Sequence, residues 1–288
     1  MYVPKRPGLC ARVWWALPKA PPFPLSTSSF HWTGNGRQAL GLALSAVNRV
    51  LVPAFICRSV VEALEEWGKV VEMYNVNDDL TVDEDDLLQQ AEGLKAVIWV
   101  HYFGFPQQLE VLQAIRSREK LLLIEDCAHG FLSQASHHPL GSFGHCGMFS
   151  FRKMVPVAEG GGLVVNAPLP IPQNGSFPSS LLRAAKPIVD LMVTEVEIRL
   201  GRRLKRLRKA VRARKAFSLG TQEGRAAPKT ISPLTRHLLT RFDGQMIRQR
   251  RRANYLVLLH VLRGLRGVQV VFPVLPDGVC PMAFPLWV

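Results

Sequence analysis

Two short segments constrain the fold of this chain more than any other part of it. Lys95–His101 (KAVIWVH) and Leu121–Glu125 (LLLIE) are apolar at nearly every position. An extended strand points successive side chains to opposite sides, so strands of this kind must be covered on both faces. Around them lie stretches with apolar residues at helical spacing. These are Arg37–Val47, with Ala39, Leu40, Ala43, Leu44 and Val47 on one side, Ser59–Trp67, stopped by Gly68, Asp83–Gln90, and Gln107–Ile115. Further strands are expected at Arg49–Val52 and Lys69–Val76. Apolar strands alternating with helices imply an α/β fold: a mainly parallel sheet flanked by helices. Ligands of such sheets sit beyond the carboxyl ends of the strands, where His101 and Asp126 stand. The acids Asp83, Glu84, Asp85 and Asp86 read as a capped helix start rather than a cation site, because the helix dipole favours them there.

The two ends of the chain have a different character. Residues 1–33 are rich in proline, serine and tryptophan and read as an irregular arm. A Pro/Asn/Ser-rich link over 167–180 leads into a basic region. The net charge of the chain is +14, and most of the excess lies between Ile198 and Lys215. There Leu200, Leu204, Leu207 and Val211 recur at helical spacing among ten Lys and Arg residues, which describes a basic amphipathic helix. Its leucines pack on the rest of the protein and its charges face solvent, or Arg199–Lys215 meets an anionic surface. A helix is expected over Leu234–Leu265 and strands at Val268–Phe272 and Ala283–Val288. The expected organisation is a large domain at 1–175, followed at 176–288 by the basic helical region and a partial C-terminal α+β domain. No apolar run approaches the ~20 residues of a spanning helix, and no apolar segment follows Lys5 and Arg6, so a cytoplasmic location is expected. The five cysteines form no CxxC pair, so neither a disulfide framework nor a metal site is expected.

Chemistry concentrates in Leu121–Asn166. The strand run ends in Glu125-Asp126, His129 follows three residues later, a Phe149-Ser150-Phe151 turn leads to Lys153, and Glu159 precedes three glycines. These residue types suit pyridoxal phosphate. Asp126 is placed to keep the pyridine nitrogen protonated, so that the ring absorbs electrons, and His129 is in reach of the same ring. Lys153 is the candidate for the imine and for proton transfer. Gly34-Asn35-Gly36-Arg37 opens a helix, and helix N–H groups bind phosphate where glycine lets the backbone approach; Gly36, Arg37 and Ser150 are the candidate phosphate ligands. Each feature alone has a plainer reading as turn, cap or solvated charge; the combination points to the cofactor.

Assembled, these residues resemble the DegT/StrS-type nucleotide-sugar aminotransferases, which have the type I fold of pyridoxal phosphate enzymes. The resemblance runs from about Gly34 to Asn166, returns faintly over Ile231–Leu265, and rests on Ile124-Glu125-Asp126-Cys127-Ala128-His129, Phe149-Ser150-Phe151, and Lys153 followed by Glu159-Gly160-Gly161. Val52-Pro53-Ala54-Phe55 and Val100-His101-Tyr102-Phe103-Gly104 add to it. It implies a ping-pong transfer of an amino group from glutamate to a keto sugar carried on a nucleotide, by a homodimer with sites at the shared interface. The alternative is a truncated or non-catalytic relative that binds the cofactor or a partner without turnover. The sequence departs from the family at Arg37, where threonine is usual, and near Cys57, where many members stack an aromatic ring on the cofactor. It also departs at His145, where aspartate is usual, and at Lys153, which stands two residues nearer the Phe-Ser-Phe segment than in most members.

Overall fold

The computed structural model describes residues 22–117, 121–155, 157, 159–172 and 231–288. The basic segment Arg199–Lys215 and the expected domain boundary at 175/176 lie outside these residues.

Strands β1 (Phe30–Thr33), β2 (Arg49–Pro53), β3 (Val70–Tyr74), β4 (Ala96–Val100) and β5 (Leu122–Asp126) alternate with helices α1 (Gly36–Ala43), α2 (Arg58–Glu66), α3 (Glu84–Gln90) and α4 (Leu109–Arg116). A 3₁₀ turn, Tyr102–Gly104, follows β4. After β5 come a small hairpin, β6 (Gln134–Ala135) and β7 (His138–Pro139), then β8 (Cys146–Ser150), the four-residue helix α5 (Phe151–Met154) and β9 (Gly161–Val165). The main sheet has seven strands in the order β1-β9-β8-β5-β4-β2-β3. The neighbours β3, β2, β4, β5 and β8 are parallel. β9 runs against both β8 and β1, so six strands share one direction and β9 alone opposes them. The sheet is mainly parallel, as the apolar runs require.

The period of two in the strands sorts side chains into two layers. Val50, Val52, Ile98 and Ile124 face α1 and α2, where Leu40, Leu44 and Leu64 are buried. Leu51, Val97, Trp99 and Leu123 face the opposite side and pack on Leu87, Leu112 and Ile115 of α3 and α4. Each such leucine, fully buried, contributes roughly 1.5–3 kcal/mol. A third cluster of aromatic rings lies beside β8 and β9: Phe131 meets Phe151 edge-on at 4.9 Å, and Phe149, Leu239 and Phe242 join it. Asp83 caps α3 by accepting the Asp86 N–H, so the acid cluster is a helix start.

Several expectations need correction. Phe30–Thr33, assigned to the irregular arm, is a sheet strand paired with β9. The Phe149-Ser150-Phe151 segment is no turn: Ser150 ends β8 and Phe151 begins α5. Of the three glycines only Gly160 makes the turn, with φ +117°, while Gly161 and Gly162 pair in β9. The expected helix Leu234–Leu265 is two helices, α6 (Pro233–Leu239) and α7 (Gly244–Leu262). They are separated where Asp243 caps α7 by accepting the Met246 N–H. The last strands shrink to the two-residue pair β10 (Gln269–Val270) and β11 (Leu286–Trp287).

Arginines of α7 hold the segment that follows. Arg251 donates to the carbonyls of Pro281, Met282 and Met154, and Arg252 to those of Pro276 and Val279. Among the described residues, no helix is long and apolar enough to cross a membrane.

Candidate functional site

The carboxyl ends of β2, β4, β5 and β8 meet at one edge of the sheet, and every candidate residue stands there. Asp126 closes β5 and is only 6% exposed. Its Oδ1 accepts the Ala128 N–H at 2.8 Å. Burial raises its carboxyl above the usual carboxylate range, and the nearby Lys153 charge partly offsets this. Tyr102 lies beside it, and burial together with the Asp126 charge pushes that phenol upward.

Lys153 projects from α5, and its Nζ lies 3.0 Å from Nε2 of His129. The other ring nitrogen of His129, Nδ1, accepts the main-chain N–H of Phe103 at 3.3 Å. The Phe103 ring stacks on the imidazole at 5.7 Å and 24°. Burial, and next the Lys153 charge, pull the His129 pKa down to about 3, so the ring is neutral near pH 7.

Gly36 begins α1 directly against the end of β8. A Cβ there would lie 2.8 Å from Met148 Sδ and 3.2 Å from Ser150 Cβ, so only glycine lets the helix start come this close. The Gly34–Gly36 turn is tied to the glycine turn of β9: Gly160 N–H donates to Gly34 O at 2.8 Å, and a Cβ on Gly161 would meet Gly36 N at 2.6 Å. Asn35 Oδ1 accepts the Gln38 N–H, and Gln38 Oε1 accepts the Gly34 N–H, a reciprocal cap that fixes the entry to α1. Ser150, 6% exposed, thus faces the first turn of α1, which carries Arg37.

Cys57 immediately precedes α2 and lies within electrostatic reach of Lys153 and Arg37. Among the described cysteines it is the exposed one; Cys127, Cys146 and Cys280 are buried. Its thiol lies 3.1 Å from Ser59 Oγ. That hydrogen bond lowers the thiol pKa below its ordinary value, and the charges of Lys153 and Arg37 act in the same direction. The structure therefore brings together Asp126, His129, Lys153, Ser150, Gly36 and Arg37, all expected from the sequence.

Other features were not read from the sequence. Phe103, which both stacks on His129 and donates to it, is one; its only signal was the Phe103-Gly104 pair after a buried strand. A second is the pair beneath the site. Glu125 and His101 are fully buried, with Nε2 of His101 2.8 Å from Oε2 of Glu125. The carboxylate also accepts N–H groups from Gly141, Phe143 and Gly144, and His101 Nδ1 accepts the Gln107 N–H. These two residues and Cys127 come within 4.8 Å of one another in the manner of a metal site. Every polar atom of the carboxylate and imidazole is committed to protein partners, however, so the group braces a loop. His145 likewise has a structural partner, with Nδ1 accepting the Leu123 N–H.

The chain is similar in sequence and in fold to known proteins. Residues 31–170 match the model of the DegT/DnrJ/EryC1/StrS aminotransferase family. Over 142 residues the chain is 33% identical to a UDP-N-acetyl-3-dehydro-alpha-D-glucosamine 3-aminotransferase of Acidithiobacillus ferrooxidans, covering 46% of this chain and 38% of that protein. Over 141 residues it is 31% identical to the GDP-perosamine synthase of Escherichia coli O157:H7, covering 46% and 39%. The chain thus matches less than two fifths of the length of these curated relatives. Among solved structures it is similar to a Helicobacter pylori aminotransferase involved in the biosynthesis of pseudoaminic acid. That likeness has a TM-score of 0.59 at 18% identity, over 89% of this chain and 64% of that one. A sugar aminotransferase from Micromonospora echinospora gives a TM-score of 0.59 at 18% identity, over 90% and 68%. These likenesses establish the fold of the sheet and its flanking helices as that of the aminotransferases. Over residues 31–170, this chain is similar to the DegT/DnrJ/EryC1/StrS aminotransferase family.

Proposed function

We propose that this protein holds pyridoxal 5′-phosphate on Lys153 and uses it to move an amino group from glutamate to a keto sugar carried on a nucleotide. The observation that carries the proposal is the meeting of the Lys153 amine, the neutral His129 ring and the buried Asp126 at the carboxyl ends of the parallel strands. The donor set fits the cofactor: an amine, a buried carboxylate, an imidazole, and a hydroxyl with a guanidinium beside a helix start whose glycine admits no Cβ. The relatives' names, which speak of nucleotide-sugar amination, support the substrate class.

When bound, the cofactor's protonated ring supplies the electron sink that lets a substrate C–H bond beside nitrogen break. The chain's own residues divide the remaining work. Asp126 would hold the ring-nitrogen proton by its negative charge, which would offset the cost of its burial. Ser150, Gly36 and Arg37 bind the phosphate at the start of α1. His129 orients the ring through Nε2. Lys153 Nζ accepts the proton from the donor's carbon and returns it to the acceptor's. A homodimer, the large domain at 1–175 with a second domain at 176–288, and a cytoplasmic location belong to the same reading; the exposed Cys57 thiol suits a reducing compartment. For Arg199–Lys215, binding to anionic liposomes that weakens with salt would show an anionic surface as its partner.

Absorbance tests the proposal. The purified protein with pyridoxal phosphate should show the visible band of a lysine-bound cofactor, Lys153→Ala should lose it, and glutamate should bleach it in the wild type. A band that glutamate leaves unchanged would point instead to a binding protein without turnover, and no band at all would overturn cofactor binding.

A further inference from the structure

The helix that carries Lys153 is too short to hold its own shape. α5 has four residues and one closed turn, in which the Val155 N–H donates to Phe151 O at 2.7 Å. A single turn costs more in chain entropy than its one hydrogen bond returns, so contacts from outside must fix it. Phe151 and Met154 are fully buried, and the Phe151 N–H donates to Gly160 O at 3.0 Å, which holds the first end. The last end is held by Arg251 of α7. Its Nη2 donates to Met154 O at 3.3 Å, while its Nη1 donates to Pro281 O at 3.2 Å and to Met282 O at 2.9 Å.

We propose that Arg251 is a positioning residue for Lys153: its guanidinium ties the helix that bears Lys153 to the segment that supports His129, and so fixes how the two side chains meet. The inference rests on the reading of Lys153 as the cofactor-bearing residue and adds what aims that side chain.

The contacts form a closed circuit. From Arg251 one arm runs through Met154 to its neighbour Lys153. The other runs through Met282, whose N–H donates to Phe103 O at 2.7 Å, and then through Phe103, whose N–H donates to His129 Nδ1 at 3.3 Å. The arms meet where Lys153 Nζ and His129 Nε2 lie 3.0 Å apart. At Arg251 a single side chain grips both arms. A guanidinium suits this task, because its donors sit on separate nitrogens in fixed directions and reach two segments at once, whereas a lysine has all its donors on one nitrogen. Among the described residues no carboxylate pairs with Arg251, and burial acts against its charge. A side chain needed only to fill this space would carry no charge. The neighbouring Arg252 offers a contrast. It donates to Pro276 O and Val279 O in the same following segment, but makes no hydrogen bond to α5 or to Met282.

Incubation with pyridoxal phosphate, borohydride reduction at intervals and peptide mass spectrometry measure how fast each lysine is modified. In the wild type Lys153 should react faster than the exposed Lys95. Arg251→Lys should slow Lys153 by on the order of tenfold, since a small displacement of a reacting group costs rate steeply, and should leave Lys95 unchanged. Arg252→Lys should leave both rates as they are. A wild-type rate at Lys153 in Arg251→Lys, or equal slowing in Arg252→Lys, would overturn the proposal. Hydrogen exchange of the cofactor-free wild type in low urea gives a second reading that needs no variant. The amides of 102–105, 151–155 and Met282 should open as one unit, and separate openings would overturn the proposal. Should these segments open together while Lys153 reacts no faster than Lys95, the functional proposal falls and the tie through Arg251 stands. Preferential reaction at Lys153 that Arg251→Lys does not slow gives the reverse.

Discussion

His101 and Glu125 face each other across β4 and β5 with Nε2 and Oε2 2.8 Å apart, both fully buried. The carboxylate takes three further main-chain N–H groups from the loop at 141–144. It is thus the anchor of the segment that leads into β8 and Ser150. Glu125→Ala leaves those donors buried and unpaired and should cost about 3–5 kcal/mol, whereas Glu125→Gln, which keeps the shape, should cost roughly 1–3 kcal/mol. Urea titration followed by circular dichroism measures both.

Asp126 has the opposite character. Burial raises its pKa, so the ionised carboxylate is a burden on the folded state without ligand. Its contribution to stability falls as pH rises through the raised value, and at pH 7 the cost is present. Asp126→Asn should therefore make the cofactor-free protein more stable at pH 7, by on the order of 1 kcal/mol, while the proposed transamination should fall about 10²–10⁴-fold. A melting temperature below that of the wild type would contradict this.

His129 sets the acid limit. Its pKa is about 3 in the folded protein against 6.5 as the ordinary value, so between those two pH values the unfolded chain binds the extra proton. Stability is fully present above about 6.5 and is lost as pH falls toward 3, by at most roughly 4–5 kcal/mol. His129→Gln should flatten the denaturation profile across that window.

Gly161 joins the two glycine turns. An added Cβ would press on main-chain atoms of Asn35 and Gly36 rather than on a side chain that can move. Gly161→Ala should cost about 3 kcal/mol and should weaken phosphate binding by pushing the start of α1 away from Ser150. Thermal denaturation reads the first effect and phosphate titration by calorimetry the second.

Cys57 should be the fastest of Cys57, Cys127, Cys146 and Cys280 to react with a thiol reagent, because it is exposed and its thiolate is favoured while burial pushes the other three upward. Bound pyridoxal phosphate should slow the reaction, since Cys57 lies within the electrostatic reach of Lys153 and Arg37. Peptide mapping after brief alkylation distinguishes the sites.

The parallel part of the sheet was legible because its strands are apolar on both faces and its helices carry one apolar side; both are local patterns. β9 and β1 were not. Gly161 and Gly162 read as a turn, yet they are strand residues whose lack of a side chain admits Asn35, Gly36 and the Phe30 ring, a reason that lies in distant sequence. The break between α6 and α7 hid in plain helical periodicity. Asp126, His129 and Lys153 were legible as residues; the Phe103 N–H was invisible, since a main-chain donor leaves no mark in side-chain identity.

The ties at Cys280 and Met282 bear on how the molecule is to be dissected. Cys280 N–H donates to Ser133 Oγ, a residue 147 positions earlier, and Met282 N–H donates to Phe103 O. A fragment cut at Asn166 would retain every proposed cofactor ligand and all seven main strands. It would nonetheless lose the Met282 N–H that Phe103 O accepts in the turn beside the imidazole. The region of family similarity therefore does not carry within itself all the contacts that hold the turn beside His129.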